Sequence, residues 1–311
     1  MIKLGIAAAL YAIHFIADRT IRSFRVGGYN RKYVFITGCD SGFGRDLAIR
    51  LDQMGFNVFA GCLRDDGKDY LKRHCSDRLT PITHDVSRAE SNKAALDVVQ
   101  RALPPNTGLW GLVNNAGIAG NMSPSELCTR EDYQRVFEVN MLGTVDTTNT
   151  FLPLIRQAKG RVINMGSASG RLAVPPAPDG IAKYGMEAYT DILRRELYSR
   201  NVSVVLIEPG MFLTGIVQTE ALTEGVRSRY DRATQEVKDT YGDVVGKFQK
   251  MCQLMIKLSS PNTHKVIDAY VHGLTSRFPR TRYVVGVDSR FILIPLSYLP
   301  TCFTDWLLQY R

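Results

Sequence analysis

The stretch TGCDSGFGRDLA, residues 37–48, constrains this chain more than any other. It follows an apolar run, YVFI, and opens a segment whose apolar residues return at helical spacing. Gly38, Gly42 and Gly44 therefore stand in a turn between a strand and a helix. Glycines there permit a tight turn and a close backbone approach. A pyrophosphate can then sit on the open N–H groups of the helix start. A glycine-rich turn by itself is weak evidence, but at a strand-to-helix junction it points to a dinucleotide, with Gly38, Gly42, Phe43 and Gly44 as candidate contacts.

The rest of the chain supplies the expected frame. Short β-branched runs occur at 33–38, 57–63, 79–86, 109–117, 160–167, 202–210 and 282–288, with helical patterns between them. This alternation predicts a single α/β domain over 28–290, a Rossmann-type doubly wound parallel sheet of about seven strands with helices on both faces. The charged, mostly helical region 211–280 is expected to cover a substrate site, and the apolar residues of VVGKFQKMCQLMIKL either line a pocket or form plain core.

Both ends are apolar. Residues 4–17 form a nearly continuous run followed by Arg19, Arg22, Arg25, Arg31 and Lys32. A spanning helix takes about 17–25 such residues. The segment 1–27 is read as an uncleaved membrane anchor, with the positive cluster holding the main domain on the cytosolic side and the endoplasmic reticulum as the expected membrane. Residues 291–311 are aromatic-rich and broken by Pro295 and Pro300, which suits a membrane-surface or lid segment. The net charge of +9 is spread along the chain, which argues against a nucleic-acid surface. The six cysteines show no metal-ligand spacing and read as reduced thiols, so no metal is expected. The sequence leaves a homo- or hetero-oligomer open.

Further candidates cluster at the ends of the predicted strands. After the second, AGCLRDDG puts Cys62 near the place where an acid would bind a ribose diol. Arg64 favours a 2′-phosphate and Asp65 and Asp66 oppose it, so NAD is the expected cofactor, with NADP left open. Asp85 is placed either to contact an adenine or to cap a helix. NNAG offers Asn114, Ala116 and Gly117 beside the cofactor path. Asn140 lies inside a predicted helix, where asparagine is a poor former, and is expected to distort it or hold a water. EPGMFLTG, with Pro209, Gly210, Phe212 and Thr214, follows the sixth predicted strand, and core packing is the plain role for Phe212.

Taken together, TGxxxGxG, Asp85, NNAG, Asn140, GSASGR, Lys183 and EPGMF resemble the short-chain dehydrogenase/reductase family over residues 31–290. YVFITGCDSGFG, VFEVNMLG, KYGMEAYTDILRREL and the apolar termini are most similar to its membrane-associated retinol and hydroxysteroid dehydrogenase branch. The resemblance implies a catalytic Asn, Ser, Tyr and Lys. Asn140, Ser167 and Lys183 match three of them; the resemblance also implies that Lys183 binds the nicotinamide ribose and that Phe212 and Thr214 of EPGMFLTG contact the nicotinamide. The fourth position, one helical turn before Lys183, is Asp179. Sliding the motif does not restore the tyrosine, because Tyr184 and Tyr189 are followed four residues later by Ala188 and Leu193.

The resemblance implies hydride exchange between NAD(P) and an apolar alcohol or carbonyl compound such as a retinoid, steroid or other lipid. Asp179 is expected to impair it. A carboxyl starts near pKa 3.9, Lys183 is expected to push it lower, and its reach is shorter than a phenol's by roughly 4 Å. General acid–base help is worth about 10²–10⁴ in rate. The alternative is a catalytically dead pseudoenzyme that binds dinucleotide and acts as a partner or regulator. An N-cap role is the plain structural reading of Asp179.

Overall fold

The computed structural model describes residues 13, 15–214 and 219–309. Seven strands form one parallel sheet: β1 (Tyr33–Ile36), β2 (Asn57–Cys62), β3 (Leu79–Thr83), β4 (Gly111–Asn114), β5 (Arg161–Met165), β6 (Ser203–Pro209) and β7 (Arg282–Val285). Their order is β3-β2-β1-β4-β5-β6-β7, so the connection reverses direction between β1 and β4. Ligands of open parallel sheets bind in the crevice at the carboxyl ends of the strands flanking such a switch.

Alternation along each strand builds two cores. Val34 and Ile36 face one side and Phe35 the other; Val58 and Ala60 oppose Phe59 in the same way. On the first face lie α1 (Gly42–Gln53) and α10 (His264–Thr275), through Leu47, Leu51, Val266 and Tyr270. The second face is covered by α3 (Ala89–Ala102), α5 (Gly143–Gln157) and α6 (Ala177–Leu197), through Val99, Phe151 and Leu193. Buried on both faces, the strands read as continuous apolar runs.

The stretch 211–280, expected to cover a substrate site, packs in two groups. Helices α7 (Thr219–Arg232), α8 (Gln235–Tyr241) and α9 (Val244–Leu258) share a satellite core of Val226, Val244, Phe248 and Cys252 with Leu127. α10 belongs to the main sheet instead, because Val266, Ile267, Tyr270 and Leu274 are buried in the first core. The apolar stripe of α9 is thus partly core, while Leu254, Ile256 and Leu258 on its other side are exposed.

Most of the run 4–17 lies outside the described residues. Residues 15–23 are helical and fastened to the domain: Arg22 donates to the carbonyls of Phe278 and Pro279 at 3.0 Å each, and Asp18 pairs with Arg280 at 2.5 Å. At the other end, Ser289–Leu296 and Thr301–Leu308 meet at a bend of 120°. No single helix among the described residues is long and apolar enough to cross a membrane. Phe291, Phe303 and Trp306 of that bent pair are exposed.

Candidate active site

The glycine turn is held from below by Asn115, the second amide of NNAG. The Asn115 side chain donates to the carbonyls of Thr37 (3.1 Å) and Gly38 (3.2 Å) and accepts from the Tyr270 hydroxyl (3.2 Å). Asn114, a candidate cofactor contact, turns its amide into the sheet toward Thr148 and Asn164. NNAG carried the signal for both amides, but not which of two neighbouring side chains on opposite faces of a strand end would meet the turn.

Glycine is required here sterically. Gly38 adopts φ +70°, and a Cβ on it would lie 2.8 Å from the Ala116 Cα. A Cβ on Gly44 would lie 2.3 Å from the Gly38 carbonyl oxygen. Gly42, at φ +59°, differs: a Cβ there would meet nothing nearer than Thr214 at 4.0 Å, so its backbone faces open space. Ser41 precedes α1 without a side-chain capping bond, which leaves the first-turn N–H groups free. An open backbone with free helix donors fits a dinucleotide pyrophosphate.

The end of β2 is tied to the glycine turn by an acid. Cys62 is fully buried, and burial pushes its thiol up to about 12. Asp40, inside the glycine turn, reaches across and accepts from the backbone N–H groups of Leu63 (2.9 Å) and Arg64 (2.8 Å). Arg64 is exposed and bonded to Asp66 at 3.0 Å. Asp85 does not cap α3; it closes its own turn by accepting from the Ser87 N–H (3.0 Å) and hydroxyl (2.6 Å).

Asn140 does distort its helix. Arg130–Phe137 (α4) and α5 are joined by a π-helical turn, Glu138–Leu142, with Asn140 buried at its centre. Extra-residue turns of this kind are frequent at functional sites. Its side-chain oxygen accepts from the Ile118 N–H, and its amide donates to the Ile118 carbonyl and to Asp179 Oδ1, at 2.8, 2.8 and 2.9 Å. The exit of β4, where Gly117 lies, is thereby tied to α6.

The position of Asp179 follows from how α6 packs. Pro178, Ala182, Met186, Thr190 and Leu193 form the buried stripe of this helix. Asp179 and Lys183 stand one turn apart beside that stripe, and Glu187, one turn further, is buried. The helix begins at Ala177 with Pro176 at the cap position, so Asp179 is a first-turn residue and not the N-cap. Burial raises its pKa, whereas Lys183 and Asn140 pull it down less strongly. This overturns the expectation that Lys183 dominates. The Lys183 ammonium is directed at the Met165 carbonyl (3.3 Å), and among the described residues Asp179 forms no ion pair within 4 Å. Ser167, two residues past Met165, accepts from the Ser169 hydroxyl at 2.9 Å. Tyr184 points elsewhere, donating to the Arg171 carbonyl at 2.8 Å.

Phe212 is buried against Phe43, edge to face at 6.1 Å between ring centroids. It joins core packing to a place beside the glycine turn. Gly210 follows Pro209 where a Cβ would strike Asp288 at 2.2 Å, and Asp288 accepts from the Met211 N–H at 2.6 Å.

Behind the crevice lies a charge cluster absent from the sequence reading. Glu187 and Glu208 share Arg282, and Glu208 also pairs with Arg171 at 3.3 Å. Arg171 in turn donates to the Tyr298 hydroxyl of the C-terminal segment. That segment, with Arg171, Leu172 and Tyr184, borders an open groove of about 480 Å³.

With this geometry in view, the likenesses to known proteins are specific. The short chain dehydrogenase family model matches residues 32–225. Retinol dehydrogenase 7 of Rattus norvegicus is 44% identical over 275 residues, covering 88% of this chain and 86% of that protein. The 17-beta-hydroxysteroid dehydrogenase type 6 of Homo sapiens is 40% identical over 96% of this chain and 93% of its own. Among solved structures, a short chain dehydrogenase/reductase from Burkholderia phymatum in complex with NAD superposes with a TM-score of 0.73 at 19% identity, over 92% of this chain and 98% of that one. The chain belongs to the short-chain dehydrogenase/reductase family.

Proposed function

We propose that the protein is an NAD(P)-dependent oxidoreductase of an apolar alcohol and its carbonyl partner (a retinoid, steroid or other lipid), with turnover impaired by Asp179. The observation that carries the reading is the bond from Asn140 to Asp179, one turn before Lys183. It supports a preserved arrangement around the position where the resemblance expects a tyrosine.

NAD(P) supplies the hydride acceptor or donor when bound. The chain's own residues have separate tasks. Gly38, Gly42, Phe43 and Gly44 offer the turn and helix start to the pyrophosphate. Arg64, Asp85, Ala116, Gly117 and the backbone of Asn114 flank the adenosine and ribose path, and Pro209, Gly210, Phe212 and Thr214 border the nicotinamide end. Lys183 clamps the ribose, Ser167 holds the substrate oxygen, and Asn140 fixes the helix that carries Asp179. Asp179 accepts a proton poorly at pH 7, even with burial raising its pKa. Its reach also falls roughly 4 Å short of a phenol's.

The apolar ends supply the setting. Residues 1–27 and 291–311 hold the 28–290 domain against the cytosolic face of the endoplasmic reticulum membrane; exposed Phe15, Ile16, Phe24, Phe291 and Trp306 support this. Asn121 and Asn201 begin glycosylation sequons, so mass spectrometry showing a glycan on either would place the domain in the lumen instead.

The departure at Asp179 favours a second reading, a pseudoenzyme that binds dinucleotide and serves as partner or regulator. Reduction of NAD and NADP by all-trans-retinol and androgen alcohols, in wild type and Asp179→Tyr, separates the two. A rise of about 10²-fold or more in the variant supports an impaired dehydrogenase. Cofactor binding with no turnover in either form supports the pseudoenzyme. Wild-type turnover that Asp179→Tyr leaves unchanged refutes the proton-transfer argument.

A further inference from the structure

We infer that Asp179 makes the substrate crevice a binding site for an apolar cation, a primary ammonium carried on a hydrocarbon skeleton. The inference rests on the reading that the crevice takes apolar molecules and adds the charge of the headgroup.

The resemblance expects a phenol at position 179, which can donate to an alcohol or carbonyl oxygen. A carboxylate can only accept. One of its oxygens, Oδ1, accepts from Asn140 at 2.9 Å, and no hydrogen bond reaches Oδ2 among the described residues. Of the nearby cations, Arg171 and Arg282 are held by other acids, and Lys183 acts on the carboxylate through space without bonding it. Lys183 is directed at the Met165 carbonyl at 3.3 Å, and Arg171 and Arg282 are paired with Glu208, Glu187 and Asp191. The site therefore presents a partly buried carboxylate with an open oxygen and no ion-pair partner within 4 Å among the described residues.

Its environment strengthens the preference. Burial is the largest influence on the Asp179 carboxyl and raises its pKa, so the charged form lacks solvation that a cation would replace. An alcohol offers Oδ2 one neutral O–H. An ammonium offers three N–H donors and a full charge, and charge-assisted bonds are roughly twice as strong as neutral ones. The shorter side chain also leaves roughly 4 Å of the phenol's length for the headgroup. On a shared skeleton, the amine should bind about 10-fold tighter than the alcohol, the difference expected between a charge-assisted and a neutral hydrogen bond.

Isothermal titration of the full chain with geranylamine and with geraniol at pH 7.5, with and without NAD, tests this directly. The expected result is an amine about 10-fold tighter on wild type. That ratio should fall near one in Asp179→Asn and reverse toward the alcohol in Asp179→Tyr. Either variant alone completes the comparison should the other fail to fold. Equal affinity of wild type for the two probes overturns the cation site, as does an amine preference that survives both substitutions. Geraniol binding without an amine preference refutes the cation site alone, whereas no binding of either probe refutes it together with the apolar crevice.

Discussion

Glu187→Gln should change how the chain's stability depends on pH. Glu187 is 7% exposed, and Glu208 beside it is fully buried. Burial, and then the like charge on Glu208, push the Glu187 carboxyl from 4.5 up to about 7, against the pull of Arg282 and Arg171. Between those values the folded chain holds a proton that the unfolded chain has released. Its stabilising contribution is complete below the unfolded value and is lost as the pH rises through the folded one. An interval of about 2.5 pH units, at about 1.4 kcal/mol each, gives an effect on the order of 3 kcal/mol. Glutamine imitates the protonated side chain at every pH. Urea unfolding should therefore give equal stabilities at pH 4.5 and a variant on the order of 3 kcal/mol more stable at pH 8.

The difference between the two chains is the quantity to read. Burial lowers the pKa of His84 and of His272, so they oppose Glu187 by making stability rise with pH toward their ordinary value of 6.5. Asp179 is raised and acts in the same direction as Glu187. These groups are common to both proteins and largely cancel in the subtraction. A difference that does not vary with pH would refute the reasoning. So would a variant several kcal/mol less stable at pH 8, because Glu187 would then be ionised and holding Arg282.

Two substitutions probe the turn. Gly44→Ala forces a Cβ to within 2.3 Å of the Gly38 carbonyl oxygen, so it should cost about 1–3 kcal/mol and abolish measurable dinucleotide binding in a fluorescence titration. Asn115→Ala removes the support of the Thr37 and Gly38 carbonyls and leaves the hydroxyl of fully buried Tyr270 without its partner. A loss of about 2–3 kcal/mol in urea unfolding is expected, with weaker dinucleotide binding; an unchanged midpoint would refute the clamp.

All seven strands were legible in the sequence, yet the expected runs extend past the observed strands in an instructive way. The run 109–117 ends as a strand at Asn114, 160–167 at Met165, and 282–288 at Val285. The surplus residues at the carboxyl ends (Asn115 to Gly117, Gly166 and Ser167, Gly286 to Asp288) leave the sheet to build the crevice. Hydrophobic pattern identifies a buried strand because both faces are covered, but it does not mark where pairing stops. The contacts of Asp40, Asn115, Glu187 and Arg282 are not marked locally, for a related reason. Each acts on a partner far away in sequence, as Arg282 does on Glu187, and no local spacing encodes such a pair.

The same reasoning separates the fold from the chemistry at Asp179. The helix is positioned by its buried stripe from Pro178 to Leu193, none of which requires a tyrosine at the next position. Asn140 keeps both bonds to Ile118 whatever occupies 179, so loss of the Asp179 bond leaves only its second amide N–H to find a partner. Asp179→Tyr also removes a carboxylate whose pKa is raised by burial, which relieves an unfavourable charge at neutral pH. The lost hydrogen bond, worth about 1 kcal/mol, and the relieved charge oppose each other. The melting temperature of Asp179→Tyr should therefore stay within a few degrees of wild type. A drop of 10 °C or more would show that the acid holds the helix in place, and a change in turnover could then no longer be assigned to proton transfer.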